Sequence, residues 1–252
     1  MPIQTECRVS AMEALNPYAW SMTVEAGDMA RRAQPGQFVQ VKCGHSRMLR
    51  RPISICDIDG DRMRLVFEVR GEGTEWLSHR AVGDRVDLIG PLGRGFDLSG
   101  DKLLLVGGGI GLPPMLHTAK ACKGEVHVVA GFRAQNRAML IEDFLKVAKD
   151  VAIASDDGSI GYHGFVDALV RQKLEKEKGF TSVLACGPKP MLRAIVKAAE
   201  AFDVPVQVSM EERMACGVGA CLGCAVQMAD GAMKHVCKDG PIFNAKEVDW
   251  NA

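Results

Sequence analysis

Four of the nine cysteines fall in one stretch near the C-terminus, Met214 to Cys237. Cys216, Cys221, Cys224 and Cys237 follow the spacing C-x4-C-x2-C and then a fourth cysteine beyond a longer insert. A chain that must converge four thiols has to curl tightly and then double back. Gly217, Gly219 and Gly223, with Ala215, Ala220 and Ala225, suit the curl, because small residues let several backbone N–H groups point at sulfur. Ala225 to Met228, the turn pair Asp230-Gly231, and Met233 to Cys237 read as a hairpin that returns the fourth thiol to the first three.

This spacing is that of plant-type [2Fe–2S] ligation, and soft thiolates suit iron in both oxidation states. Two other readings stand beside it. Four thiols can hold one zinc ion, although such sites more often pair C-x2-C with a second C-x2-C or two histidines. They can also be structural thiols or a disulfide pair.

From Lys102 the pattern is strand–helix alternation. Leu103-Leu104-Leu105-Val106 is an uninterrupted apolar run, as for a strand buried on both faces. Gly107-Gly108-Gly109-Ile110-Gly111 follows, and Pro113-Pro114 opens a helix to about Cys122. Strands are expected at Val126 to Ala130, Val151 to Ala154, Ser182 to Ala185 and Val206 to Val208. Helices are expected at Leu140 to Ala148, Phe165 to Glu177 and Met191 to Phe202. The alternation implies a parallel sheet with helices on both faces, which binds ligands beyond the strand C-termini. Three glycine-bearing loops fall there, after Val106, after Ser155 and at Cys186-Gly187-Pro188. Any one could be a plain tight connection; three in one sheet favour a nucleotide crevice. The ordinary G-x-G-x-x-G fingerprint is absent.

The first hundred residues read as a small antiparallel barrel. Short strands are expected at Glu6 to Val9, Trp20 to Val24, Gln37 to Cys43, Pro52 to Asp57, Met63 to Val69 and Arg85 to Ile89. A short helix from Thr74 to Arg80 has Thr74 as its cap candidate. Within Arg51-Pro52-Ile53-Ser54, an extended Arg-x-x-Ser pair sets a fork-shaped cation and a hydroxyl where a phosphate could sit. Gly71-Glu72-Gly73-Thr74 offers free N–H groups at a helix entry. Taken alone, the residue types favour the plain readings, a solvated charge at Arg51 and a turn at Gly73.

The chain has 252 residues, with 31 basic and 31 acidic side chains, so no broad basic face for nucleic acid is implied. No apolar run reaches the roughly 18 residues of a membrane span, and MPIQTECRVS lacks the marks of a signal peptide. The other cysteines, Cys7, Cys43, Cys56, Cys122 and Cys186, read as small core residues, which suits a reducing cytoplasm.

These motifs together (RPIS and GT in a barrel, GGGIG-x-PP and CGP-x-PM in a sheet, then MEERM ahead of the cysteines) resemble the ferredoxin–NADP reductase-like superfamily. Within it they are most similar to the electron-transfer subunits of type B dihydroorotate dehydrogenase. The resemblance implies three regions: a FAD-binding barrel over 1–100, a nucleotide-binding α/β domain over 101–209 and a cluster subdomain over 210–252. It implies FAD contacts at Arg51, Pro52, Ile53, Ser54, Gly73 and Thr74, and at Val66, Phe67 and Glu68 on the preceding strand. It implies NAD(H) contacts at Gly108, Gly109, Gly111, Cys186, Gly187 and Pro188. Arg133 and Arg137 then lie where a 2′-phosphate is read, and are equally open as solvated charges.

The resemblance further implies a cluster that faces an FMN-containing catalytic subunit, in a heterotetramer of two of each. No catalytic acid or base is expected on this chain. Two alternatives remain open: the small flavin/iron–sulfur subunit of another NAD(P)H:acceptor oxidoreductase, and a non-catalytic metal- and nucleotide-binding module.

Overall fold

The computed structural model describes residues 2–44 and 48–251. The N-terminal half contains β1 (Ile3–Ala14), β2 (Ala19–Glu25), α1 (Asp28–Arg32), β3 (Phe38–Val41), β4 (Arg51–Asp59), β5 (Arg62–Glu68), α2 (Glu72–Ser78) and β6 (Arg85–Leu92). The six strands close a barrel in the order β1-β2-β5-β4-β3-β6, with every pairing antiparallel. Alternation along the strands sends Val9, Val24, Val41, Ile55, Leu65 and Leu88 inward. Closure leaves no sheet edge unpaired.

The second half runs β7 (Lys102–Gly108), α3 (Pro113–Ala121), β8 (Glu125–Phe132), α4 (Ile141–Leu145), β9 (Asp150–Ser155), β10 (Tyr162–His163), α5 (Val166–Lys176), β11 (Ser182–Cys186), α6 (Lys189–Glu200) and β12 (Val206–Ser209). The tail adds β13 (Ala225–Gln227), β14 (Met233–His235) and β15 (Ile242–Asn244). The large sheet has the order β10-β9-β8-β7-β11-β12-β15. Successive strands step one way from β7 to β8 and the other way from β7 to β11. The crevice of a doubly wound sheet opens at such a reversal, here at the Gly109–Gly111 turn and Gly187.

The structure departs from expectation in four places. The sheet is not wholly parallel, because β15 pairs antiparallel with β12 through Val208 and Phe243. The tail therefore completes the α/β sheet and is not an appendix to it. The helix expected over 140–148 holds only as Ile141–Leu145, because the chain must enter β9, where Lys149 N–H already donates to the Val126 carbonyl. Thr74 sits inside α2 and does not precede it. Its hydroxyl accepts from the Arg70 and Gly71 amides and donates to the Gly71 carbonyl. The short elements α1, β10 and β15 carry too few residues to show a period.

Two apolar seams join these parts. Barrel residues Ala19, Cys56 and Val66 pack with Leu112, Met115 and Leu116 at the start of α3, and Lys120 pairs with Asp57 across the same seam. On the other side, Phe38 and Leu92 share a core with Met210, Cys224, Val226, Cys237 and Phe243. The tail is pinned there by Arg94 N–H to the Gly240 carbonyl at 2.6 Å and Met210 N–H to the Pro241 carbonyl at 2.9 Å. Phe243, only 4% exposed, packs its ring where a Cβ on Gly240 would come within 2.4 Å. Phe243→Ala is expected to cost about 3–5 kcal/mol. A fall in the denaturant midpoint checks this, and an unchanged midpoint would mean that the tail does not help hold the sheet.

Candidate functional site

A groove of about 370 Å³ lies between the barrel, the Gly109–Gly111 turn and the start of the tail. Arg51, Pro52, Ile53 and Ser54 of β4, Val66, Phe67 and Glu68 of β5, and Thr74 of α2 all line it. Strand pairing explains the grouping: β4 and β5 are neighbours in the barrel, and α2 follows β5 at once. Gly73 stands behind Arg51, where a Cβ would meet the guanidinium Nε at 2.7 Å. A side chain at residue 73 would displace the Arg51 guanidinium from the helix entry. Arg51 also donates to the Leu49 carbonyl at 2.7 Å, which steadies the fork. Glu68 is turned to Arg70, at 2.8 Å.

A second cavity, of about 910 Å³, opens from the same place. Gly108, Gly109, Gly111, Gly187 and Pro188 line it, with Arg133, Arg137 and Asp156 on its rim. Gly109 has φ +54°, and a Cβ there would project into open space, so the loop presents bare backbone to the cavity. Gly111 lies against the β11 turn, where a Cβ would stand 2.3 Å from the Cys186 carbonyl oxygen. Cys186 itself is buried beneath the loop and does not line the cavity; burial pushes its thiol up to about 12. Arg137 stacks on Tyr18 at 3.2 Å. Glu68, Arg70, Ile110 and Glu211 line both spaces. The groove and the glycine-lined cavity therefore adjoin along these residues.

The cysteine loop begins where the groove ends. Met210, Glu211, Glu212 and Met214 line the groove, and Cys216 follows two residues after Met214. Val218, Ala220 and Cys221 amides donate to Cys216 Sγ at 3.3–3.4 Å. Gly219 N–H donates to Cys237 Sγ at 3.1 Å, and Cys237 N–H to Cys224 Sγ at 3.4 Å. Left-handed backbone at Gly217, Gly219 and Leu222 turns these amides inward. Leucine in that region is strained, and such outliers gather at ligand clamps. Burial raises the Cys216 thiol, but the amides around it outweigh burial and bring it to about 6. Burial, and next Cys224, push Cys237 up to about 12.

The thiols group in pairs. The Cys221 amide donates to Cys216 Sγ and the Cys237 amide to Cys224 Sγ, which ties Cys216 to Cys221 and Cys224 to Cys237. One set of three or more metal-ligating groups within 4.8 Å of one another occurs among the described residues, Glu125, His127 and Glu177, and it contains no cysteine. A single tetrahedral zinc, with Zn–S of about 2.3 Å, would draw all four sulfurs to within about 3.8 Å of each other. No three of the four sulfurs converge in that way among the described residues, which fits two metal centres better than one. All nine cysteines are free thiols, so no disulfide competes for the four.

The sequence reading missed Ile110, Arg70, Met210 and Met214 as groove residues. Only the fold brings these segments to β4. It also noted Gly217 only as a small residue; in the structure, φ is +73° and a Cβ would stand 2.6 Å from Gln40 Cγ. Gly217→Ala forces an L-residue into the left-handed region, at about 1–2 kcal/mol, and pushes on Gln40. The expected result is a lower iron content per chain with flavin retained. Unchanged iron in purified Gly217→Ala protein would contradict this placement.

Comparison with known proteins agrees with this geometry. Residues 211–249 match the family model described as the iron–sulfur cluster binding domain of dihydroorotate dehydrogenase B, and residues 105–197 match the oxidoreductase NAD-binding domain. The chain is 39% identical over 257 residues to the dihydroorotate dehydrogenase B (NAD(+)) electron transfer subunit of Desulforamulus reducens, covering 97% of this chain and 98% of that protein. It is 41% identical to the same subunit of Bacillus caldolyticus, covering 95% and 96%. Among solved structures, a chain from the NADH-dependent reduced ferredoxin-NADP oxidoreductase matches with a TM-score of 0.88 at 30% identity, covering 97% of this chain and 90% of that one. A ferredoxin reductase of carbazole 1,9a-dioxygenase matches in fold, with a TM-score of 0.67. With this identity over nearly its whole length, the chain belongs to the family of dihydroorotate dehydrogenase B (NAD(+)) electron transfer subunits.

Proposed function

We propose that this chain is the electron-transfer subunit of an NAD-dependent dihydroorotate dehydrogenase in pyrimidine biosynthesis. Electrons from an FMN-containing catalytic subunit pass through a [2Fe–2S] cluster and FAD to NAD+. The observation that carries the reading is the adjacency of the glycine-lined cavity, the groove and the cysteine loop that leaves the groove at Met214. When bound, FAD exchanges electrons in pairs with a nicotinamide and singly with an iron–sulfur cluster, so it belongs between them.

The chain's own residues have holding and screening roles. Arg51 and Ser54 are suited to the flavin's phosphates, as a fork-shaped cation and a hydroxyl that line the same groove from one strand. Thr74 spends its hydroxyl on the Gly71 turn, so its part is to shape the backbone that meets the flavin. Pro52, Ile53, Val66 and Phe67 supply an apolar wall that excludes water from the ring. Gly108, Gly109 and Gly111 bring bare backbone to the dinucleotide, with Gly187 and Pro188 opposite. Cys186 supports that loop from below. Cys216 and Cys221 would hold one iron, and Cys224 and Cys237 the other. No residue is needed as a general acid or base.

Among the described residues, no helix is long and apolar enough to cross a membrane. We place the protein in the cytoplasm, in a heterotetramer of two of each subunit. Cys221 is exposed, as are Val218 and Leu222 beside it, so the second subunit would receive or give electrons there. The regions 1–100, 101–209 and 210–252 serve FAD, NAD(H) and the cluster respectively.

A ferredoxin-linked oxidoreductase subunit is the nearest rival reading, on the 30% identity to the NADH-dependent chain. The higher identity to the dihydroorotate relatives favours the first. The purified chain is expected to reduce ferricyanide with NADH and to make no orotate from dihydroorotate. It should copurify with an FMN-containing dihydroorotate dehydrogenase when both are expressed. Orotate formation by the chain alone, or copurification with a ferredoxin-linked subunit instead, would overturn the assignment.

A further inference from the structure

We propose that Gln40, on β3 of the barrel, is a positioning residue for the electron path: its side-chain Nε2–H donates a hydrogen bond to a sulfur of the cluster held by the four cysteines. The inference rests on that cluster reading.

Gln40 has no exposed surface. Among the described residues, neither Nε2 nor Oε1 has a hydrogen-bond partner. Leaving a buried donor unpaired costs about 1–3 kcal/mol, so a carboxamide in this state marks a partner supplied by something other than the polypeptide. The direction in which it points follows from strand alternation. Val39 and Val41 face the barrel interior, whereas Phe38 packs against the tail. Gln40 shares the face of Phe38, two residues on.

The cysteine loop covers that face. A Cβ on Gly217 would lie 2.6 Å from Gln40 Cγ and 2.9 Å from Nε2. The carboxamide thus rests on the residue directly after Cys216, with no side chain between. Loop amides already serve the sulfurs of Cys216, Cys224 and Cys237. Gln40 comes to the same loop from the barrel, on a strand whose register is set by Pro52 of β4 and Ile89 of β6. The donor is therefore fixed by a rigid element.

Glutamine suits this place. A neutral N–H stabilises the extra negative charge of a reduced cluster and raises its potential. It avoids the desolvation penalty of a buried lysine or arginine. The competing occupant is a buried water bound to the carboxamide, which would leave the potential indifferent to residue 40.

The test uses the protein loaded with flavin and cluster. Gln40→Met keeps length and apolar volume and removes the donor. The expected result is unchanged iron and flavin content, with the reduced-to-oxidised ratio of the cluster at fixed potential falling about tenfold, a drop in midpoint of about 59 mV for one electron. In wild-type protein carrying side-chain 15N-glutamine, the reduced cluster should show a 15N hyperfine coupling, and Gln40→Met should lose it. Equal potentials and no 15N coupling would overturn the proposal and favour the water. If Gln40→Met fails to load iron, the wild-type coupling decides alone: its presence supports the hydrogen bond and its absence rejects it. Wild-type protein without iron would reject the cluster reading itself, a result that metal analysis tells apart.

Discussion

The structure depends on bringing four sulfurs to one place without letting them collapse onto one point. Thiolates repel one another, and burial in an apolar setting opposes their charge. The loop answers with amides: three point at Cys216, one at Cys237 and one at Cys224. That arrangement requires backbone in the left-handed region at Gly217 and Gly219, which is why small residues crowd between the cysteines. The linkage of Cys216 with Cys221 and of Cys224 with Cys237 then follows from these amide contacts. The first pair lies within the loop, and the second joins the loop to the hairpin return.

A cluster is of use only beside its redox partner, and packing meets that condition. β15 completes the large sheet, so the residues on either side of the cysteine hairpin are anchored: Met210 by Pro241, and Gly240 by Arg94 of the barrel. Phe38 and Leu92 of the barrel share one core with Cys224 and Cys237. The groove, the loop and the α/β sheet cannot move independently without opening that core. Rigid placement of this kind is what electron transfer needs, since no bond is made or broken by the protein.

Much of this was legible in the residues. Alternation in the first hundred residues marked the barrel, and Leu103 to Val106 marked a strand buried on both faces, because both signals are local. The cysteine spacing and the Asp230-Gly231 turn were legible for the same reason; Asp230 Oδ1 does accept from Ala232 N–H at 2.9 Å. What escaped depends on contacts distant in sequence. Ile242-Phe243 is too short to show a period, and it becomes a strand only because β12 offers a free edge. Gln40 looks like an ordinary polar strand residue until the tail is folded over it. Cys186, expected to meet the dinucleotide, sits under the loop because Gly111 occupies the space above its carbonyl.

The most direct test of the central claim is a count of iron, acid-labile sulfide and flavin per chain, taken with the visible absorbance of the purified protein. The account predicts two irons, two sulfides and one FAD, in a brown-yellow protein whose flavin bands sit on broader cluster absorbance. A colourless protein with one zinc per chain would contradict it.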